Sequence, residues 1–264
     1  MIMGGSFGKK GASSATAAQV PLATETTPGL MSPSEKLKLS TLTTSIATSD
    51  FYASYDFMMH SIGLTSANNI SLLSTGNISL QNILSEGNHF GVQPIVSSTT
   101  ANASFLAGML MAIFPKESEL EVTVYFKTPS AFNPAQLTVI GSTSIGLGIS
   151  DRSGLIIENG NAFGGIVKAS AATETGSTYA LSTSTWYICK FKMLTDDRFK
   201  VTLYSDSGTQ LYSYTSTAAM FRADNATAHI GFKTQCKTAT AGISLISIDL
   251  IEFKAKVSAT RAKV

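Results

Sequence analysis

Glu119 and Glu121 are the residues of this 264-residue chain whose type and spacing come nearest to catalytic chemistry. Positions i and i+2 of a strand share a face, so the two carboxylates of ELEVTVYFK project together. Paired carboxylates serve as acid and base in glycoside hydrolysis. The next position on that face is Thr123 rather than a third acid, and Lys116 and Glu117 stand just upstream. A solvated charged face is the preferred reading. His60, His89 and His229 lie far apart without metal-ligand spacing and read as surface or satisfied histidines. Asp196, Asp197 and Asp206 fall at hairpin ends, where Asp already serves turn chemistry, so no calcium loop is expected. GGSFGKK near the start lacks the first glycine, the final Ser or Thr and the preceding strand of a phosphate loop. No catalytic residue, metal or cofactor is assigned.

Aromatic side chains are the remaining resource. Trp186, Tyr204, Tyr212 and Tyr214 gather around one predicted hairpin, with Trp186 and Tyr204 on the less apolar faces of their strands. Flat rings beside hydroxyl and amide groups suit sugars, whose C–H faces stack while polar neighbours read the hydroxyls. These four are the candidate carbohydrate-binding residues. Packing between sheets or subunits is the competing role, and the commoner one for such rings.

Composition limits what can position them. Hydrophobic residues make up 44%, enough for a core, while charged residues are only 14%. Ser and Thr supply about a quarter of the chain, a mixture that suits β-structure with neutral polar surfaces. A net charge of +2 gives no field for nucleic acid. Lys254, Lys256, Arg261 and Lys263 form a mild basic tail, read as a solvated end. Two cysteines make no disulfide framework, and Cys189, in the apolar phase of its strand, is expected as a buried thiol. The apolar run FLAGMLMAIF is too short to span a bilayer. MIMGGSFGKKGASSATAAQ has no apolar signal region, so the protein is expected to stay in the cytoplasm until something releases it.

From about Asp50 the hydrophobic period becomes two. Glu119–Lys127, Trp186–Met193, Phe199–Leu203 and Leu211–Tyr214 alternate as strands. Asn159-Gly160 and Asp206-Ser207-Gly208 are turn signals. Asn69–Leu72 and Asn77–Leu80 read as a hairpin turning at Gly76. Ile246, Ile248 and Leu250 share a face, and the phase then slips, as a bulge near Leu250 would cause. The expectation is an all-β, antiparallel β-sandwich in which each sheet keeps one wet face. Residues 1–20 read as a flexible arm, 21–48 as a linker with one short helix, 49–257 as the sandwich and 258–264 as a basic tail.

The helix follows from Ser32-Pro33-Ser34-Glu35, a capping box with Pro at the first helical position. Leu30, Met31, Leu37, Leu39, Leu42 and Ile46 then form an apolar stripe too small to bury itself in one chain. The string from Thr26, written TTxGLMSxxxKxKLxxL, resembles a short module of bacteriophage fibre and receptor-binding proteins, with Ser40 where Asp is usual. The resemblance implies that Pro28, Gly29, Leu30, Met31, Leu37, Leu39, Leu42 and Ile46 serve virion attachment or trimerisation. It implies a homotrimer, capsid or tail proteins as partners and location in the virion; the charge balance and the short apolar run already argue against nucleic acid and membrane insertion.

The strand order resembles a concanavalin-like (laminin-G-like) jelly roll. Tyr55-Asp56-Phe57 would open the domain, Thr185-Trp186-Tyr187 would start a strand followed by the hairpin Arg198 to Tyr214, and Ile248–Phe253 would close it by pairing with the first strand. Together the resemblances imply a head or tail fibre displaying a lectin-like domain for adhesion to host-surface glycans. A virion-borne jelly-roll glycanase using Glu119 and Glu121, and a capsid decoration protein with no ligand, are the alternatives.

Overall fold

The computed structural model describes residues 47–56, 70–75, 78–80, 84–96, 100–111, 114, 119–144, 151–220, 228–239 and 245–259. The residues expected to serve attachment (Pro28, Gly29, Leu30, Met31, Leu37, Leu39, Leu42 and Ile46), the expected short helix and His60 lie outside them. In chain order the first strands are β1 (Ala47–Asp56), β2 (Ser71–Thr75), β3 (Ser79–Leu80), β4 (Leu84–Glu86), β5 (His89–Val96) and β6 (Ser104–Leu110). Then come β7 (Glu119–Lys127), β8 (Gln136–Ser144), β9 (Arg152–Glu158), β10 (Asn161–Lys168) and β11 (Ala171–Ala180). The last are β12 (Trp186–Met193), β13 (Phe199–Ser205), β14 (Gln210–Thr215), β15 (Ala228–Cys236) and β16 (Leu245–Ala259). All pair antiparallel, and no α-helix occurs among the described residues.

Two sheets form. The first runs β14-β13-β12-β7-β16-β5-β3, with β1 also on β16 and β4 on β5. The second runs β11-β10-β9-β8-β15-β6-β2. Alternation builds the first sheet: on β12, Tyr187, Cys189, Phe191 and Met193 are buried while Trp186, Ile188, Lys190 and Lys192 are partly exposed. The buried set joins Val122, Val124 and Phe126 of β7 and Val201 and Leu203 of β13. Phe105 and Met109 of β6, Ile140 of β8 and Phe232 of β15 belong to the same core. Phe191 and Phe199 stack at 5.4 Å within it. Both cysteines are buried free thiols, and burial pushes the Cys189 thiol up.

The closing strand behaves as its sequence requires. β1 pairs with β16 from Ala47↔Ala259 to Asp56↔Leu250. The β16–β7 register shifts between Ile248 and Ile251, where the phase of the sequence slips. The β9–β10 turn places Asn159 at φ 48° and Gly160 at φ 77°, the two left-handed positions of a tight hairpin.

Two expectations are corrected. The segments around Asn69 and Asn77 do not form a hairpin: β2 pairs with β6 in the second sheet, whereas β3 pairs with β5 in the first. The chain changes sheets between Thr75 and Ser79, where the sequence reads as a local turn. Nor does each sheet keep a wet face. Every residue of β15 is buried, and all but the last of β8. A second apolar cluster of Leu137, Val139, Ile156 and Val167 occupies the second sheet's other side. Gly108, Gly231, Gly141, Gly154 and Gly165 face one another across β6, β15, β8, β9 and β10. A Cβ on Gly141 would lie 2.2 Å from the Ser153 carbonyl oxygen, so these backbones approach in a way that only glycine permits.

Candidate ligand-binding face

The first sheet turns its other face to solvent, and the register fixes what stands there. Tyr204 of β13, Ile188 of β12 and Tyr125 of β7 are successive cross-strand partners, all partly exposed. Trp186 precedes Ile188 by two residues on the same face and stands opposite Lys127. The result is a contiguous apolar and aromatic patch across three strands. Burial, and then the Glu252 anion, raise the Tyr125 phenol above its ordinary value. Lys190 Nζ sits 5.9 Å from the centre of the Tyr204 ring, a cation–π contact at the patch margin.

The segment before Trp186 is pinned by side-chain hydrogen bonds. Thr128 Oγ1 donates to the Ser182 carbonyl (2.7 Å) and accepts from the Thr185 amide (2.9 Å). The Tyr187 hydroxyl accepts from the Ser182 amide at 2.9 Å. The indole thus leaves a backbone fixed at three points. His89, buried at the start of β5, stacks on it with ring centres 3.7 Å apart and planes 16° from parallel. Its Nδ1 lies 2.8 Å from Asp249 Oδ2, at the β16 bulge. Its Nε2 lies 3.2 Å from Asp206 Oδ1, in the turn between β13 and β14. The second contact is an ion-pair approach without aligned hydrogen-bond geometry. Glu86, opposite His89 on β4, pairs with Lys127.

Of the four rings expected to bind sugar, the structure brings Trp186 and Tyr204 to this face and removes Tyr212 and Tyr214 from it. Tyr212 and Tyr214 stand opposite Leu203 and Val201, which point inward. Tyr212 is buried, and its hydroxyl accepts from the Gly164 amide at 2.9 Å. The Tyr214 hydroxyl donates to Glu174 of β11, which also accepts from the Thr217 and Ala218 amides. Burial raises the Glu174 carboxyl, and those donors outweigh it, leaving the group below its ordinary value. The two tyrosines close the sandwich edge between β14 and β11. His89, Asp249, Tyr125 and Ile188 are members of the face that the sequence reading missed.

Glu119 and Glu121 occupy the far end of the same sheet. Each meets a lysine of β12: Lys192 Nζ is 3.4 Å from Glu119, and Lys190 Nζ is 3.9 Å from Glu121. With Tyr52, Lys192, Lys254 and Lys256 they border an open groove of about 420 Å³. Tyr52 donates to Glu252 at 3.0 Å, and Lys254 Nζ lies 5.7 Å from its ring centre. Carboxylates and ammoniums alternate here, as on a solvated charged face. Asp196 accepts from the Arg198 amide and side chain within its turn. Among the described residues, no group of three or more His, Cys, Asp or Glu is placed to hold a metal ion.

The family profile described as SO2946-like, C-terminal domain, matches residues 88–249, more than half of the chain. The chain belongs to this family. The matched segment of the SO2946-like domain runs from one residue before His89 to Asp249 itself, and contains Trp186 and Asp206 between them. No curated protein matches the chain. Among solved structures, peanut lectin with a nine-residue peptide aligns with a TM-score of 0.53 at 13% identity, over 80% of this chain and 100% of that one. The seed lectin of Lotus tetragonolobus aligns at 0.51 and 8% identity, over 79% and 100%. At such identities the likeness is one of fold: this is a lectin-like, concanavalin-like β-sandwich.

Proposed function

We propose that this chain is a bacteriophage virion protein, a head or tail fibre, that displays its lectin-like sandwich for adhesion to host-surface glycans without cutting them. One observation carries the adhesive reading. Trp186, Ile188, Tyr204 and Tyr125 lie side by side on the open face of a sheet, partly exposed and rimmed by charged groups. Core rings have no reason to be held at that depth. Sugar rings present C–H faces to such a surface, while Asp206 offers acceptors and Lys190 donors to their hydroxyls. A shallow face of this kind binds weakly in one copy. A homotrimer, repeated on one particle, raises effective affinity by multivalency. Support for the virion role is the module from Thr26 to Leu42, with its stripe from Leu30 to Ile46 as the attachment or trimerisation segment to capsid or tail proteins. The pairing of Glu119 and Glu121 with lysines favours binding over glycan hydrolysis.

The test is a glycan array probed with the full chain and with Trp186→Ala and Tyr204→Ala. Binding without sugar release, lost in both variants, is expected. Reducing-sugar release abolished by Glu121→Gln would overturn the reading in favour of a glycanase. Removal of residues 1–46 is expected to leave a folded domain that no longer joins virions. Normal incorporation of the truncated chain would overturn the attachment role.

A further inference from the structure

We infer that His89 is a proton-operated clamp on this face, tying the β13–β14 turn to the β16 bulge when its imidazole is charged and releasing the turn when it is neutral. The clamp itself stands on geometry. Its consequence for adhesion rests on the glycan reading above. Both ring nitrogens face carboxylates, Nδ1 to Asp249 at 2.8 Å and Nε2 to Asp206 at 3.2 Å. An imidazole has two N–H donors only as the imidazolium; the neutral ring has one donor and one lone pair. Only the charged form therefore suits both contacts. Among the described residues, Glu86 on β4 and Lys127 on β7 are the other charged groups beside it, and they pair with each other. The ring also stacks flat on Trp186 at 3.7 Å, where a positive charge gains from the indole face.

On loss of one proton the two partners are not equivalent. The Asp249 side chain is 16% exposed and makes the shorter contact, so the remaining N–H stays at Nδ1. Nε2 then carries a lone pair 3.2 Å from the Asp206 carboxylate, and the attraction of the charged ring for it is lost. The Asp206 side chain is 51% exposed, on a turn of Asp206, Ser207 and Gly208, and is free to swing into water. The turn keeps its own hydrogen bonds, among them the Ser205 amide to the Thr209 carbonyl at 2.8 Å, and is released only from the β16 bulge, at the end of the patch where Tyr204 stands. Protonation holds the face in order; deprotonation relaxes it. Ligand affinity accordingly falls as pH rises through the transition, and bound ligand favours the protonated clamp by linkage.

Trp186 is the sole tryptophan, so its emission reports the clamp directly. An imidazolium in contact with an indole quenches it by accepting an electron, which the neutral ring does weakly. In the full chain, without ligand, emission is expected to fall reversibly on acidification from about pH 8 to pH 5, the range in which histidine changes charge. His89→Gln should abolish the change. Asp206→Asn, on the exposed turn, removes one of the two carboxylates and should keep the fold while shrinking the emission change. Should His89→Gln not fold, as judged by circular dichroism, Asp206→Asn carries the test with nitrogen-15 NMR of the His89 ring. Flat emission in the wild type, or the same transition in Asp206→Asn, would overturn the clamp. The outcome is separable from the glycan reading: a transition in a protein that binds no glycan keeps the clamp and sinks the adhesin, and glycan binding with flat emission does the reverse.

Discussion

Replacing Gly141 with Ala tests whether the second sheet is built around its row of glycines. Gly141 has φ +148°, which L side chains rarely adopt. An added Cβ would lie 2.2 Å from Ser153 O, 2.8 Å from Gly154 Cα and 3.0 Å from Phe191 Cε2. The first two are backbone atoms of the hydrogen-bonded neighbour β9, which cannot rotate aside. The strained conformation costs about 1–3 kcal/mol. Overpacking that shifts a strand costs about 1–3 kcal/mol more. A loss of about 2–6 kcal/mol is expected, a large share of the 5–15 kcal/mol or so that holds a domain together. Gly208→Ala is the control: φ is +83°, but nothing lies within 4 Å of the added methyl. It should cost about 1 kcal/mol through the backbone alone. Urea denaturation followed by circular dichroism measures both. A Gly141→Ala protein as stable as Gly208→Ala would refute the close approach of β8 and β9.

Two further substitutions test other contacts. Burial pushes the Lys233 ammonium down to about 8. The unfolded chain, with lysine near 10.4, binds more protons between the two values, so stability should rise with pH by about 3 kcal/mol across that window. Lys233→Met should flatten this rise in denaturation curves at pH 7 and above, and raise stability at pH 7 by about 1–2 kcal/mol. Tyr212→Phe removes the acceptor of the buried Gly164 amide and should cost about 1–3 kcal/mol in the same assay, with glycan binding unchanged.

What the sequence revealed follows from how each strand is exposed. β7, β12 and β13 have one dry and one wet face, so their period of two is visible and the phases of Trp186 and Tyr204 can be read. β15 is buried throughout, and β6 nearly so, and neither alternates. β11 is missed for the opposite reason: as an edge strand of small and hydroxyl residues it has no buried side. The apparent hairpin at Gly76 failed because turn chemistry is local, whereas the choice of sheet is decided by β6 and β5. Tyr212 and Tyr214 share the parity of apolar positions on their hairpin, and that parity placed them inside. The His89 cluster was illegible because its contacts span 160 positions of sequence. The slip of phase at Leu250 was the one local sign that β16 does something unusual beside Asp249.

Glycan-array binding of the full chain, alongside Trp186→Ala and Tyr204→Ala proteins shown by circular dichroism to be folded, bears most directly on the adhesive face. Retention of specific glycans by the wild type and their loss in both variants is the predicted result. Glycan binding that survives in both folded variants would contradict the assignment of this face.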